Sequence, residues 1–372
     1  MAELVVLALL AVAVLAYLVL AWRGSRAQVP AALAAIGLGV LWGSAADPHE
    51  WLVPRDEPPP FDAGGDLWRR TALKNQTPSD PYSGEEIEAW QERRRVRLRE
   101  VFQTGPIPSE IPIELGQTEQ VGSVQRQFLT MRSTDGTNIP AYLLRGSEEK
   151  GAILLIPGHG VGIRGTAGLI DDYQHAAALR LAEAGYLVLT PELRGFGLLS
   201  GGHGPIAHRA IAFNAWAEGS SYKAVVLRDL FVALRVLRSK SESDRTIVAG
   251  ASLGGELATL VGALDPSIDE VCVHAYGGSV GPQGGATLGR NPQHHQLPHG
   301  CHTIPGVNRI MWHEDWFRLI APRPLQIVRG DQESTDPGVL AVLLPRGGRL
   351  ELRVAAGDHE FFVAEAIAFL DR

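Results

Sequence analysis

The sequence predicts an α/β protein: a mostly parallel central sheet with helices on both faces, preceded by an N-terminal membrane segment. Three observations carry this. From residue 121 onward, short apolar runs alternate with helical patterns, the order that builds parallel β-α-β units. One such run, Thr246-Ile247-Val248-Ala249, leads into GASLGG (250–255), whose glycines permit a sharp strand-to-helix turn with a serine at its tip. Leu4–Trp22 is nineteen residues without a charge, long enough for a helix to cross a bilayer core.

The membrane segment comes first in the chain. A second, shorter apolar run, Val29–Trp42, follows the basic connector Arg23-Gly24-Ser25-Arg26. With those arginines held on the cytoplasmic side, the two runs read as a helical hairpin that places the C-terminal domain on the extracytoplasmic side. A single span at 4–22 would reverse that, and a signal-peptide core at Ala31–Trp42 is a third reading. The lipid bilayer is thus an expected partner through residues 4–42. The organisation expected is a membrane anchor over 1–46, a linker and helical extension over 47–120, and a catalytic domain over 121–372.

In the extension, PRDEPPP (54–60) is a stiff linker. Glu85–Phe102 reads as a helix with Ile87, Trp90 and Val101 on an apolar side. Its arginines (93, 94, 95, 97 and 99), interleaved with glutamates, read as a solvated face. Beyond 121, Val124–Met131 and Asn138–Leu144 flank the turn signal Thr134-Asp135-Gly136 and pair as antiparallel strands. Strands are expected at 152–156, 186–190, 246–249, 271–275, 324–329 and 350–354. Helices are expected at 172–184, 222–238, 253–263 and 361–370. The net charge of −7, with no basic patch interleaved with aromatics, excludes a nucleic-acid partner. The two cysteines, Cys272 and Cys301, read as free thiols rather than a disulfide framework.

A serine hydroxyl becomes a nucleophile only when a base takes its proton, and the base needs an acid to fix its tautomer. On a strand-turn-helix scaffold the chain order is serine, acid, histidine. Ser252 is the candidate nucleophile. His359, in the loop after strand 350–354, is the candidate base. Glu333, just beyond strand 324–329, is the favoured acid, with Asp336 and Asp331 as alternatives. The oxyanion hole requires two backbone N–H groups. One falls to Leu253, directly after the serine. The other falls to the glycine-rich loop after strand 152–156, with His159 first and Gly160 second.

These residues give the chain a family likeness. From about Val121 onward it resembles the α/β-hydrolase family and, within it, is similar to the acetyl-xylan-esterase-like and dienelactone-hydrolase-like esterases. NIPAYLLR (138–145), LLIPGHG (154–160), TPELRGFG (190–197), GASLGG (250–255), CHTIPG (301–306), LIAPRPLQIVRG (319–330) and GDHEFF (357–362) carry the resemblance. Two departures stand out. Many relatives have His-Gly where Pro157-Gly158 stands, and many have Asp where Glu333 stands. The resemblance implies an α/β-hydrolase fold and a membrane-anchored serine esterase that needs no cofactor. It would cleave carboxylic esters of a small molecule or carbohydrate, acetyl esters among them. A peptidase, a thioesterase, a lipase or a non-catalytic binding module on the same scaffold are the alternatives.

Other features are read as structural. His294, His295, His299 and His302, with Cys301, crowd one stretch, but no ligand spacing repeats there and no metal is expected. Trp312, Trp316 and Phe317 read as core or pocket wall. Arg194 reads as organising its own turn through backbone hydrogen bonds.

Overall fold

The computed structural model describes residues 82–202, 207–276, 300–305, 307, 310, 313–333 and 348–372. All of them lie in one compact unit, Leu73–Arg372. Among the described residues no helix is long and apolar enough to cross a membrane. Residues 4–42, where the sequence places the anchor, lie outside the described residues. The expectation is corrected accordingly: the membrane anchor, the bilayer as partner and the extracytoplasmic placement have no support in the structure and are carried no further.

Nine strands form one sheet: β1 (Ile113–Val121), β2 (Val124–Arg132), β3 (Asn138–Arg145), β4 (Ala152–Ile156), β5 (Leu187–Pro191), β6 (Thr246–Ala251), β7 (Glu270–His274), β8 (Leu325–Gly330) and β9 (Leu350–Ala355). Their spatial order is β1-β2-β3-β5-β4-β6-β7-β8-β9. The sheet is mixed, which corrects the mostly parallel expectation. β1/β2, β2/β3 and β3/β5 are antiparallel, and the remaining pairs are parallel. Only short turns separate β1, β2 and β3, and a short turn can join only antiparallel neighbours. β1 itself went unread because IELGQTEQV leaves no residue fully buried. An edge strand of that kind carries no apolar alternation to detect.

The parallel half is covered on both faces, and β4 shows how. Ala152, Leu154 and Ile156 enter one core cluster, while Ile153 and Leu155 enter the other. That is the period of two expected of a strand buried on both sides. The first core includes α1 (Ile87–Val101), α5 (Tyr222–Lys240) and α6 (Leu253–Leu264). The second includes α3 (Ala177–Glu183) and α8 (Val363–Leu370). The other helices are α2 (Ile163–Thr166), α4 (Ala207–Ala217) and α7 (His313–Arg318).

Helix α1 departs from its expected solvated arginine face. Arg94 and Arg95 are buried. Arg95 donates from Nε to the Ala263 carbonyl (3.0 Å) and from Nη2 to that of Leu319 (2.7 Å). Gln91 Nε2 donates to the Arg318 carbonyl at 2.6 Å. The last carbonyls of a helix have no intrahelical donor, so a guanidinium reaching the end of α6 is favoured by both hydrogen bonding and the helix dipole. The sequence shows the charges, but not the helix end that needs them. Arg194 differs too. Its side chain pairs with Asp229 (Nε–Oδ2, 2.6 Å) and Asp135 (Nη1–Oδ2, 2.7 Å), while its own carbonyl accepts from Tyr222 Oη (2.8 Å). It thereby ties the β5 turn to α5 and to the β2–β3 turn.

Candidate active site

Ser252 sits between β6 and α6 with φ +58° and ψ −123°. A non-glycine residue rarely adopts that conformation, and it persists only where its surroundings enforce it. The enforcement comes from neighbours too close for side chains. A Cβ on Gly254 would lie 2.0 Å from the Ile156 carbonyl oxygen, and one on Gly250 would lie 2.3 Å from that of Gly254. The Ser252 N–H donates to the His274 carbonyl (3.0 Å). The turn therefore carries the serine out at the carboxyl end of the sheet, where α/β sheets place their sites. Leu253 begins α6, so its N–H is among the unsatisfied donors of a helix N-terminus.

His359 and Glu333 meet because their strands run in register. β8 and β9 are parallel neighbours, with Gly330 opposite Ala355. Glu333 lies three residues past the first and His359 four past the second. The two loops are clasped: Gln332 N donates to Gly357 O (3.1 Å), and a Cβ on Gly330 would collide with the Asp358 carbonyl at 2.3 Å. His359 Nδ1 and Glu333 Oε1 are 2.8 Å apart. The histidine side chain is 49% exposed and the glutamate only 7%. Glu333 Oε2 accepts from Gly330 N and faces Arg329 Nε, both at 3.0 Å. Burial alone would raise the Glu333 pKa. The His359 hydrogen bond and the Arg329 charge outweigh it and hold the carboxyl below its ordinary range. Asp331 does not reach His359; its Oδ1 accepts from Gly357 N (3.1 Å), fixing the histidine loop. Asp336 lies outside the described residues.

Three supports were not anticipated. Tyr173 lays its ring against that of His359 (centroids 5.8 Å apart), and its buried hydroxyl presses on the loop after β4, where a Cβ on Gly158 would lie 2.0 Å from it. His274 joins both halves of the site. Its carbonyl holds the Ser252 turn, and its Nδ1 accepts from Phe362 N (3.0 Å), just past the histidine loop. Burial pushes the His274 imidazole down to about 3, which keeps it neutral and able to accept. Gln174 Oε1 takes the Gly158 N–H at 2.9 Å. In the loop after β4, the N–H groups that follow Gly158 belong to His159 and Gly160, the expected donor positions. That loop abuts the serine, since a Cβ on Gly158 would lie 3.1 Å from Ser252 Cβ. Gly160 itself has φ +142°.

The His159 side chain turns away from Ser252, toward Phe196, His208, Cys301 and His302. Its Nε2 is 3.4 Å from Cys301 Sγ. His302 Nδ1 is 2.6 Å from Glu256 Oε2, and that oxygen also pairs with Lys223 Nζ at 2.6 Å, lysine and glutamate both fully buried. Burial alone would raise the Cys301 thiol, but hydrogen bonds to His159, His208 and His302 pull it down to about 3. Burial alone would lower His302, but Glu256 raises it to about 9. Sequence reasoning passed over His208, Lys223 and Glu256. The signal available was a charge inside an otherwise apolar helix, as in GGELATLVGAL. His294, His295 and His299 lie outside the described residues, as does Trp312. Trp316 and Phe317 are buried in the core, and Cys272 is buried in β7.

Residues 140–303 match the model of the dienelactone hydrolase family. A putative acetyl xylan esterase from Bacteroides fragilis superimposes with a TM-score of 0.63, at 18% identity over 82% of this chain and 84% of that one. The chain has the α/β-hydrolase fold. Among other structures sharing the α/β-hydrolase fold is a methylesterase, with a TM-score of 0.53 and 16% identity over 84% of this chain and 67% of that one. A glucuronoyl esterase from Solibacter usitatus gives a TM-score of 0.53 and 15% identity over 76% and 93%. No curated protein matches the chain.

Proposed function

We propose that this α/β-hydrolase cleaves carboxylic esters through an acyl-enzyme on Ser252. The observation that carries the reading is the 2.8 Å contact between His359 Nδ1 and Glu333 Oε1, on the loops that follow β8 and β9. A carboxylate on Nδ1 leaves Nε2 to act as the base and stabilises the imidazolium once the proton has moved. His359 takes the Ser252 proton as Oγ attacks the ester carbonyl. The developing oxyanion is held by the N–H of Leu253 and by that of His159 or Gly160. The collapsing intermediate takes a proton from His359 as the alcohol leaves. Water, activated by the same histidine, then releases the acid. The catalytic unit in this reading is 121–372, with 47–120 as an extension whose helix α1 packs on it. A small-molecule or carbohydrate ester is the substrate class, supported by the esterases among the structures that share the fold.

The test uses the full chain and nitrophenyl esters of short and long acids, with Ser252→Ala alongside. Hydrolysis of the short ester that disappears in the variant is expected, together with fluorophosphonate labelling of wild type alone. Equal hydrolysis by both proteins, or labelling that persists in the variant, would overturn the serine mechanism.

A further inference from the structure

The cluster beside the oxyanion loop is a set of soft metal donors. One ligand atom from each of His159, Cys301 and His302 lies within 4.8 Å of the other two. Around a tetrahedral zinc ion, with Zn–S near 2.3 Å and Zn–N near 2.0–2.1 Å, adjacent donors stand about 3.4–3.6 Å apart. His159 Nε2 and Cys301 Sγ, at 3.4 Å, already have that separation. We propose that His159, Cys301 and His302 bind a zinc ion.

Three further observations fit. The donors are two imidazoles and a thiol with no carboxylate among them, a set that suits zinc and not calcium or magnesium. A histidine on a metal usually donates its other ring nitrogen to a carboxylate, which fixes its orientation. His302 has that partner: Nδ1 meets Glu256 at 2.6 Å, leaving Nε2 for the ion, and Glu256 is anchored in turn by Lys223. The His208 ring stands 5.3 Å from that of His159 between centroids, a further imidazole beside the donors. The crowded histidine stretch of the sequence thus contributes its last two residues, and the third ligand stands 142 residues earlier, beyond the reach of any spacing rule. The ion ties the loop after β4 to the turn at Gly300–His302 and, through Glu256, to the helix that begins at Ser252. Ligation needs no chemistry from Ser252, so the proposal stands apart from the esterase reading.

The test is metal analysis of the full chain, expressed with zinc and purified without chelator, followed by exchange into cobalt. The expected result is about one zinc per chain and a thiolate-to-cobalt charge-transfer band in the near ultraviolet. Cys301→Ser should abolish the band, and Glu256→Gln should weaken zinc binding by about 10–100-fold. Ser252→Ala should keep both zinc and band, and wild type that carries zinc but hydrolyses no ester would count against the esterase and not against the site. Wild type that takes up neither zinc nor the cobalt band overturns the proposal, and this needs no variant to fold. Zinc retained at full stoichiometry in both Cys301→Ser and His302→Ala would overturn it equally.

Discussion

Two of the histidine–carboxylate pairs among the described residues, His359–Glu333 and His302–Glu256, differ in what surrounds them. In His359–Glu333 the imidazole is half exposed and the carboxylate nearly buried. In His302–Glu256 the imidazole side chain is 18% exposed and the carboxylate wholly buried. The first pair has a guanidinium, Arg329, on the carboxylate. The second faces a thiol and has a buried ammonium, Lys223. The contact distances are alike, at 2.8 and 2.6 Å, so the dyad alone does not set the chemistry. A base must gain and lose a proton in each cycle, and a half-exposed ring can do so at little cost. The ring of His302 sits against a fully buried carboxylate–ammonium pair, Glu256 and Lys223. Changing one of those charges in a dry interior leaves another uncompensated. The exposed pair is suited to proton transfer, and the buried pair to holding a fixed charge pattern.

The largest effect should come from breaking the exposed pair. Glu333→Gln keeps the shape of the acid but stabilises the wrong imidazole tautomer and removes the charge that supports the imidazolium. In a serine–histidine–acid site this change costs up to about 10⁴ in kcat, roughly 5 kcal/mol of transition-state stabilisation. Steady-state kinetics on the short nitrophenyl ester should show the fall in kcat with KM little changed. A fall below tenfold would move the acid role elsewhere, with Asp336 next to try.

Breaking the buried pair should act on stability instead. Lys223→Met takes from Glu256 an ammonium 2.6 Å away, in a site where both side chains are fully buried. Removing one member of a buried pair costs about 3–5 kcal/mol. Urea denaturation should show the midpoint fall with the slope unchanged. A loss under 1 kcal/mol would mean that His302 alone neutralises Glu256, and the contrast between the two pairs would narrow.

The difference between the pairs also explains what could be read from sequence. Ser252, Glu333 and His359 were legible because each follows an apolar strand run, and parallel strands gather their following loops at one end. The buried cluster was not, because His159, His208, Lys223, Glu256 and Cys301 come from five places that only the packed fold unites. Most strands and helices were legible for the same local reason, an apolar period. The exceptions were governed by context. β1 is a polar edge strand and Arg95 answers a helix end far away in sequence, whereas the antiparallel pairing of β2 with β3 was legible from the turn signal Thr134-Asp135-Gly136.

A third carboxylate separates burial from pairing. Glu192, buried against the loop after β4, accepts from Ile163 N and Leu193 N (both 3.3 Å) and from Leu198 N (3.0 Å). Burial nevertheless dominates and pushes its pKa up to about 7, from an unfolded value of 4.5. The native state therefore holds this proton more tightly than the unfolded chain does. The stability it confers is complete below pH 4.5 and is lost as pH rises through 7, a change of about 3 kcal/mol over that window. Glu192→Gln should remove this slope. Its amide would face the Leu198 N–H donor to donor, a penalty that is the same at every pH and leaves the slope untouched. Glu333 has the opposite sign. Its pKa is lowered in the native state, so its contribution is present above the unfolded value and lost only as pH falls below it. Denaturation of wild type, Glu192→Gln and Glu333→Gln from pH 4 to 8 reads both signs in one series. The stability difference for Glu192→Gln should change between pH 4.5 and 7 and then level off. That for Glu333→Gln should stay flat over the same range and shrink toward pH 4. A flat difference for Glu192→Gln would show that its three backbone donors offset burial, and that a carboxylate without a counter-charge can stay ionised inside this fold.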